Sequence, residues 1–176
     1  MGTKMNQIAD VRLHLEAAES DSDYMAVNTL WLALLKLANL EEGKSELGRM
    51  VTLVRRIPEE TIAAIVNDPA VDLLLNLEPP LETVKSHPLE ELKKAKVTAA
   101  LETVRARRAV APREALAELG FVLKVIRNKR EHAFKMSDGG RDSEILRPAR
   151  QLLRRLCEAA LEARVSAEPS AAPDRR

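Results

Sequence analysis

The sequence predicts an all-α fold, a helical bundle, and three observations carry that prediction. Hydrophobic residues make up 45% of the 176 residues but aromatic residues only 2%, so the core must be built from Leu, Val, Ile and Ala. Such side chains suit helix-on-helix packing better than a β-sandwich. Apolar residues recur at helical spacing near the C-terminus, and prolines and capping residues divide the chain into segments of helical length. A chain of this size needs only one core, so we expect a single domain over residues 1–165 and a disordered tail over residues 166–176.

The N-terminal segment is expected to form a long helical hairpin. Its first helix covers roughly residues 6–18, and Asp21-Ser22-Asp23 offers N-cap residues for a second helix that runs to about Glu42. Gly43 and Gly48 mark a break in the chain. Apolar residues at helical spacing then predict a short helix that ends before Pro58.

Short helices are predicted in the middle of the chain, followed by three longer ones. Pro58 is expected at the first helical position, with acidic residues behind it, and Asp68-Pro69 repeats this arrangement for the segment 71–77. Prolines at positions 79, 80 and 88 predict a loop. The longer helices are predicted at roughly 88–108, 112–136 and 141–165. Pro148 leaves the start of the last helix open, because proline is comfortable in a first turn and disruptive later.

Composition and charge limit the classes of function that are compatible with this chain. The chain has no uncharged stretch of 18 residues and no signal-peptide pattern, which predicts a cytoplasmic protein that does not enter the membrane. A single cysteine and three scattered histidines argue against a disulfide or a structural zinc site, so we expect metal-independent chemistry without a cofactor. Residues 1–100 hold 11 Lys/Arg and 16 Asp/Glu, whereas residues 101–176 hold 17 and 11. The basic C-terminal half permits a polyanionic partner, although such a stripe is also typical of a solvated helix face.

The helix predicted at 112–136 is apolar on two sides. Phe121 and Val125 lie nearly opposite a main apolar stripe, which consists of Leu116, Leu119, Leu123 and Ile126. A helix of this kind is either central in the fold or packs its own core on one side and a second subunit on the other.

The same helix ends in the run Arg127-Asn128-Lys129-Arg130-Glu131-His132. Asn128 and His132 are four residues apart and continue the second apolar stripe, whereas Arg127 lies about 140° around the helix axis from His132. One straight helix cannot aim both at one phosphate. Convergence would need the helix to unwind near residues 137–140, or a two-fold partner to bring a second copy of the motif alongside.

An arginine, a polar residue and then a histidine on a late helix of a small helical domain resemble the HEPN superfamily. Phe134-Lys135, a glycine turn and Arg141-Asp142 before an apolar helix extend this resemblance, which covers residues 88–165. The resemblance implies a homodimeric, metal-independent endoribonuclease with a composite site at the dimer interface. It also implies a role in toxin–antitoxin or antiviral defence, with an antitoxin or a nucleotidyltransferase as partner.

Carried over to this chain, the resemblance gives His132 the role of general acid/base, Arg127 that of binding the scissile phosphate, and Asn128 a positioning role. Cleavage of RNA through the 2′-OH needs a proton acceptor with a pKa near neutrality and a fixed cation. Additional phosphate contacts are expected from nearby cations, namely Lys124, Lys129, Arg130 and Lys135. Two alternatives stay open: a non-catalytic HEPN-like module that binds RNA, a nucleotide or a protein, and a helical adaptor that self-associates through Phe121 and Val125.

Overall fold

The structure, a computed structural model, describes residues 2–77, 88–132 and 141–167, and this part of the chain is all-helical, which confirms the predicted fold class. Its helices are α1 (Gly2–Ser20), α2 (Asp23–Ala38), α3 (Glu46–Arg56), α4 (Glu59–Val66), α5 (Pro69–Leu75), α6 (Pro88–Arg107), α7 (Pro112–His132) and α8 (Arg141–Ser166). Residues 168–176 of the expected tail, and the prolines at 79 and 80 of the expected loop, lie outside the described residues. None of the described helices is long and apolar enough to cross a membrane.

Helices α1 and α2 form the predicted antiparallel hairpin. The Ser22 side chain accepts a hydrogen bond from the backbone N–H of Met25 at 3.4 Å, so it caps α2 as expected. The Lys36 Nζ to Asp10 Oδ2 ion pair at 3.1 Å joins the two helices and shows their register. Helix α2 ends at Ala38, earlier than the predicted end near Glu42, because the chain turns there and carries Glu41 into the interior.

The short helices follow the capping signals, with one correction. Asp68 caps α5 by accepting from the Ala70 N–H at 2.8 Å, and Pro69 occupies the first helical position as predicted. Pro58, in contrast, is the N-cap of α4 and not its first helical residue, since its ψ of 146° is not helical. Helix α5 also ends at Leu75, short of the predicted residue 77.

Helix α7 occupies a central position. It pairs with α6 and also contacts α4, α8 and α2. Its main apolar stripe is fully buried, and Phe121 and Val125 on its other side are partly buried and pack against the same core. The two-sided apolar pattern therefore reflects packing within the chain, which removes the main reason for expecting a second subunit on the Phe121/Val125 face. Helix α8 starts well before Pro148, which is buried within it.

The arginines of the C-terminal half bind the carbonyl ends of N-terminal helices. Arg150 donates to Ala18 O at 2.7 Å and to Glu19 O at 3.0 Å, at the end of α1. Arg113 donates to Val54 O at 3.1 Å and to Ile57 O at 2.9 Å, at the end of α3. The last carbonyls of a helix lack intrahelical partners and carry partial negative charge, so a guanidinium stabilises them.

Contacts of this kind explain why positive charge is concentrated in the C-terminal half of the chain. Seven of the described arginines in α6, α7, α8 and the turn between α6 and α7 contact the N-terminal part of the fold. Each binds an acidic side chain or a carbonyl of α1 to α5 or of the segments that connect them. The seven are Arg105, Arg108, Arg113, Arg150, Arg154, Arg155 and Arg164. Much of the basic excess in the C-terminal half is therefore used inside the fold.

Candidate functional site

Arg127 and Asn128 lie near the C-terminal end of α7, and both are half-buried. The Nη1 of Arg127 donates a hydrogen bond to Oδ1 of Asn128 at 3.1 Å. Consecutive helical residues point about 100° apart, so the two side chains lean toward each other, and the longer arginine spans most of this angle. The charged end of Arg127 therefore lies toward the side of α7 from which Asn128 projects.

This contact changes the geometry expected from the helical register. His132 is the last residue of α7 and lies one turn after Asn128, about 40° from it around the axis. The separation of about 140° between Arg127 and His132 applies to their backbone positions. Because the guanidinium reaches Asn128, a straight α7 can present the cation and the histidine position on one side. Neither unwinding of the helix nor a second subunit is then needed to bring these positions together.

The structure places the other predicted site residues as follows. Lys124 is exposed and lies one turn before Asn128 on the same helix. Lys129, Arg130 and His132 belong to the last turns of α7, and there the structure describes the backbone path only. Lys135 lies outside the described residues. The structure thus brings Arg127 and Asn128 into contact.

The positive charge of α7 is divided between two uses. Arg113, at its N-terminal end, caps α3 and forms an ion pair with Glu59. The cations that the sequence places near a phosphate site are therefore those of the C-terminal end of α7.

Two clefts lie beside α5. The larger, of about 510 Å³, runs between α5 and the start of α8, and its lining includes Asp72, Asn76, Glu144 and Arg147. The second, of about 290 Å³, lies between α5 and α6. The carboxylates of Asp72 and Glu144 disfavour a phosphate in the larger cleft, and Asp72 is already paired with Arg108 at 2.6 Å. Neither cleft matches the chemistry of the α7 motif.

Two carboxylates are buried and bound by several donors, and the sequence did not predict that they are buried. The Glu41 side chain is 1% exposed and accepts from Arg56 Nε and from Arg164 Nη1, each at 2.8 Å. Asp68 accepts from Gln151 Nε2 at 2.9 Å, pairs with Arg155 and caps α5. The N-cap role of Asp68 was visible beside Pro69, but no local signal marked Glu41. Carboxylates held by this many donors serve the fold and not proton transfer.

Cys157 is also structural. It is fully buried, its thiol donates to Leu30 O at 3.2 Å, and burial raises its pKa well above the usual range. Among the described residues, no three His, Cys, Asp or Glu side chains come close enough together to hold a metal ion.

Comparisons with protein-family models, with curated proteins and with solved structures find no match to this chain.

Proposed function

We propose that this protein is an HEPN-like, metal-independent endoribonuclease whose site lies at the C-terminal end of α7. The observation that supports the proposal is the hydrogen bond between Arg127 and Asn128. It holds a guanidinium, a good phosphate ligand, on the side of the helix where His132 follows one turn later. A cation and an imidazole are the two groups that cleavage through the 2′-OH requires.

In the proposed reaction, Arg127 binds the scissile phosphate and stabilises the negative charge that develops on it. His132 takes the proton from the 2′-OH, whose oxygen forms a bond to phosphorus while the bond from phosphorus to the 5′-oxygen breaks. The leaving 5′-oxygen takes a proton from a general acid, and the products are a 2′,3′-cyclic phosphate and a 5′-OH. Asn128 keeps the guanidinium in place, and the cations Lys124, Lys129, Arg130 and Lys135 attract the RNA backbone.

The direct test is RNA cleavage in EDTA with the full chain and its variants. His132→Ala should lower the rate by about 10²–10⁴, the usual contribution of a general acid/base. Arg127→Ala should lower it by about 10²–10³, as for loss of one transition-state donor. Matched controls are His14→Ala on α1 and Arg55→Ala on α3, at positions outside the motif, which should cleave like the unaltered protein. Full activity in both motif variants would rule out this mechanism.

Subunit mixing decides whether one site combines Arg127 and His132 from two copies, as the composite dimer-interface site of the HEPN resemblance implies. The Arg127→Ala protein and the His132→Ala protein should each be almost inactive on its own. If a site combines Arg127 of one copy with His132 of another, the mixture regains up to half of the activity per mixed dimer. If each α7 carries a complete site, the mixture stays inactive.

A second candidate is a non-catalytic HEPN-like binding module. Internal pairing of the C-terminal arginines leaves less positive charge for RNA than the sequence implies, which favours a module that binds a nucleotide or a protein. Binding of a nucleotide or a protein that is weakened by Asn128→Ala, without RNA cleavage in any buffer, would support this candidate over the enzyme.

The cellular setting rests on the resemblance alone. We propose action in the cytoplasm within a toxin–antitoxin or antiviral system, with an antitoxin or nucleotidyltransferase as partner. Growth arrest on expression of the chain, relieved by the His132→Ala substitution, is the expected result. Equal arrest by both proteins would contradict a toxin role for the α7 site.

A further inference from the structure

The outer side of the α1–α2 hairpin exposes large apolar side chains. Leu13 is 60% exposed, Met25 50% and Leu32 46%, and we call the surface that they define the hairpin face. On α1, Leu13 lies at the centre of the solvent side, opposite the buried Val11 and Leu15. Large apolar side chains grouped on one side of two neighbouring helices are typical of an interaction surface.

The hairpin register shows that these side chains are neighbours. The Lys36–Asp10 ion pair aligns the two helices on their outer side. Leu13 follows Asp10 by three residues, and Leu32 precedes Lys36 by four, so each lies about one helical turn from the ion pair in the same direction along the hairpin. Met25 lies two turns further along α2 on the same side. The apolar side chains therefore form a strip and not isolated positions.

The charges beside Leu13 are self-complementary. Arg12 and Glu16 are both exposed and lie on the same flank of Leu13, and their side chains form no ion pair or hydrogen bond with the described part of the chain. When two copies of α1 pack antiparallel with a two-fold axis beside Leu13, the same flanks of both helices meet. Arg12 of one copy then lies within about 3 Å, along the helix axis, of the position of Glu16 in the other, since each residue advances about 1.5 Å. Two equivalent ion pairs result.

The available area is that of an ordinary dimer interface. Helices of 19 and 16 residues are about 28 and 24 Å long. Side by side they present roughly 500 Å² in projection, on the order of the ~800 Å² that each partner contributes to a standard interface.

We infer that the hairpin face binds a second copy of this chain, with α1 antiparallel to its counterpart, Leu13 and Leu32 in the apolar centre, and Arg12 paired with Glu16 across the two-fold axis. This inference is independent of the proposed ribonuclease activity, because no residue of α7 belongs to the interface. A copy bound here meets α1 and α2, so completion of the α7 site by another copy would need a further contact, which the mixing experiment detects.

The test is the mass of the full chain in solution by light scattering and sedimentation, at low ionic strength and at ~0.15 M salt. The unaltered protein should be a dimer, and Leu13→Glu or Leu32→Glu should be monomers. Leu73→Glu is the matched control, since Leu73 is 58% exposed but lies on α5, away from the hairpin; it should remain dimeric. A monomeric unaltered protein would overturn the inference, as would a Leu13→Glu protein that stays dimeric.

Charge exchange tests the two-fold pairing separately from the apolar strip. Arg12→Glu and Glu16→Arg should each weaken the dimer roughly tenfold in Kd, because each brings two pairs of like charges together. The combined Arg12→Glu/Glu16→Arg protein should return to the affinity of the unaltered chain. A combined variant as weak as the sum of the single changes would show that these residues do not face each other, and would overturn the proposed arrangement.

Discussion

Substitution of Glu41 by alanine should destabilise the fold strongly, because it leaves a buried charge without its partner. Arg164 is the main cause, since its side chain is 10% exposed and its Nη1 donates to Glu41 at 2.8 Å. Breaking a buried pair from one side costs about 3–5 kcal/mol. Arg56 adds less than about 1 kcal/mol, because its side chain is 39% exposed and can return to water. A total near 4 kcal/mol corresponds to a fall in Tm of roughly 8–16 °C for a chain of this length.

Thermal unfolding followed by circular dichroism measures this effect, with two further variants as controls. Glu42→Ala changes the exposed neighbouring carboxylate and should lie within about 0.5 kcal/mol of the unaltered protein. Glu41→Leu combined with Arg164→Met removes both buried charges and should recover most of the loss. A Tm for Glu41→Ala within 2 °C of the unaltered protein would refute the reasoning. So would a combined variant less stable than Glu41→Ala.

Three other outcomes follow from the contacts. Asp68→Ala should lower the free energy of unfolding by about 2–3 kcal/mol in urea titration, since the buried carboxylate caps α5 and accepts from Gln151; a loss below 0.5 kcal/mol would contradict this. Arg150→Ala should speed amide hydrogen exchange over the last turn of α1, because Arg150 binds the carbonyls of that turn; unchanged exchange there would show that Arg150 does not stabilise it. Cys157 should react with Ellman's reagent at pH 8 at least ~10³ times more slowly in the native than in the denatured protein, because burial and the raised pKa disfavour the thiolate; fast native labelling would exclude the buried position.

Local patterns predicted most of the helices because their boundaries depend on neighbouring residues. Ser22 and Asp68 cap helices through bonds to N–H groups two or three residues later, a distance that the sequence shows directly. The early end of α2 had no such signal. Glu41 turns inward to meet Arg164, which is 123 residues away in the chain, and no periodicity in either segment indicates that contact.

The candidate site shows the same division between local and distant information. The motif residues and their helix could be read from the sequence, since a helical register is a local property. The direction of the Arg127 guanidinium could not be predicted. A long side chain can span about a third of a helix circumference, and the conformation that it adopts depends on packing. The contacts of Arg113 could not be predicted for a related reason: its partners are carbonyls at the end of α3, more than 50 residues earlier.

The central claim, that the end of α7 cleaves RNA through the 2′-OH without a metal ion, is tested most directly with a defined oligonucleotide. The full chain is incubated in EDTA with an RNA that it cleaves at one position, and with the same RNA carrying a single 2′-deoxy residue 5′ to that bond. We expect a 2′,3′-cyclic phosphate and a 5′-OH from the first substrate, no cleavage at that position in the second, and loss of both products in His132→Ala. Cleavage of the 2′-deoxy substrate at the same position, or undiminished products from His132→Ala, would contradict it.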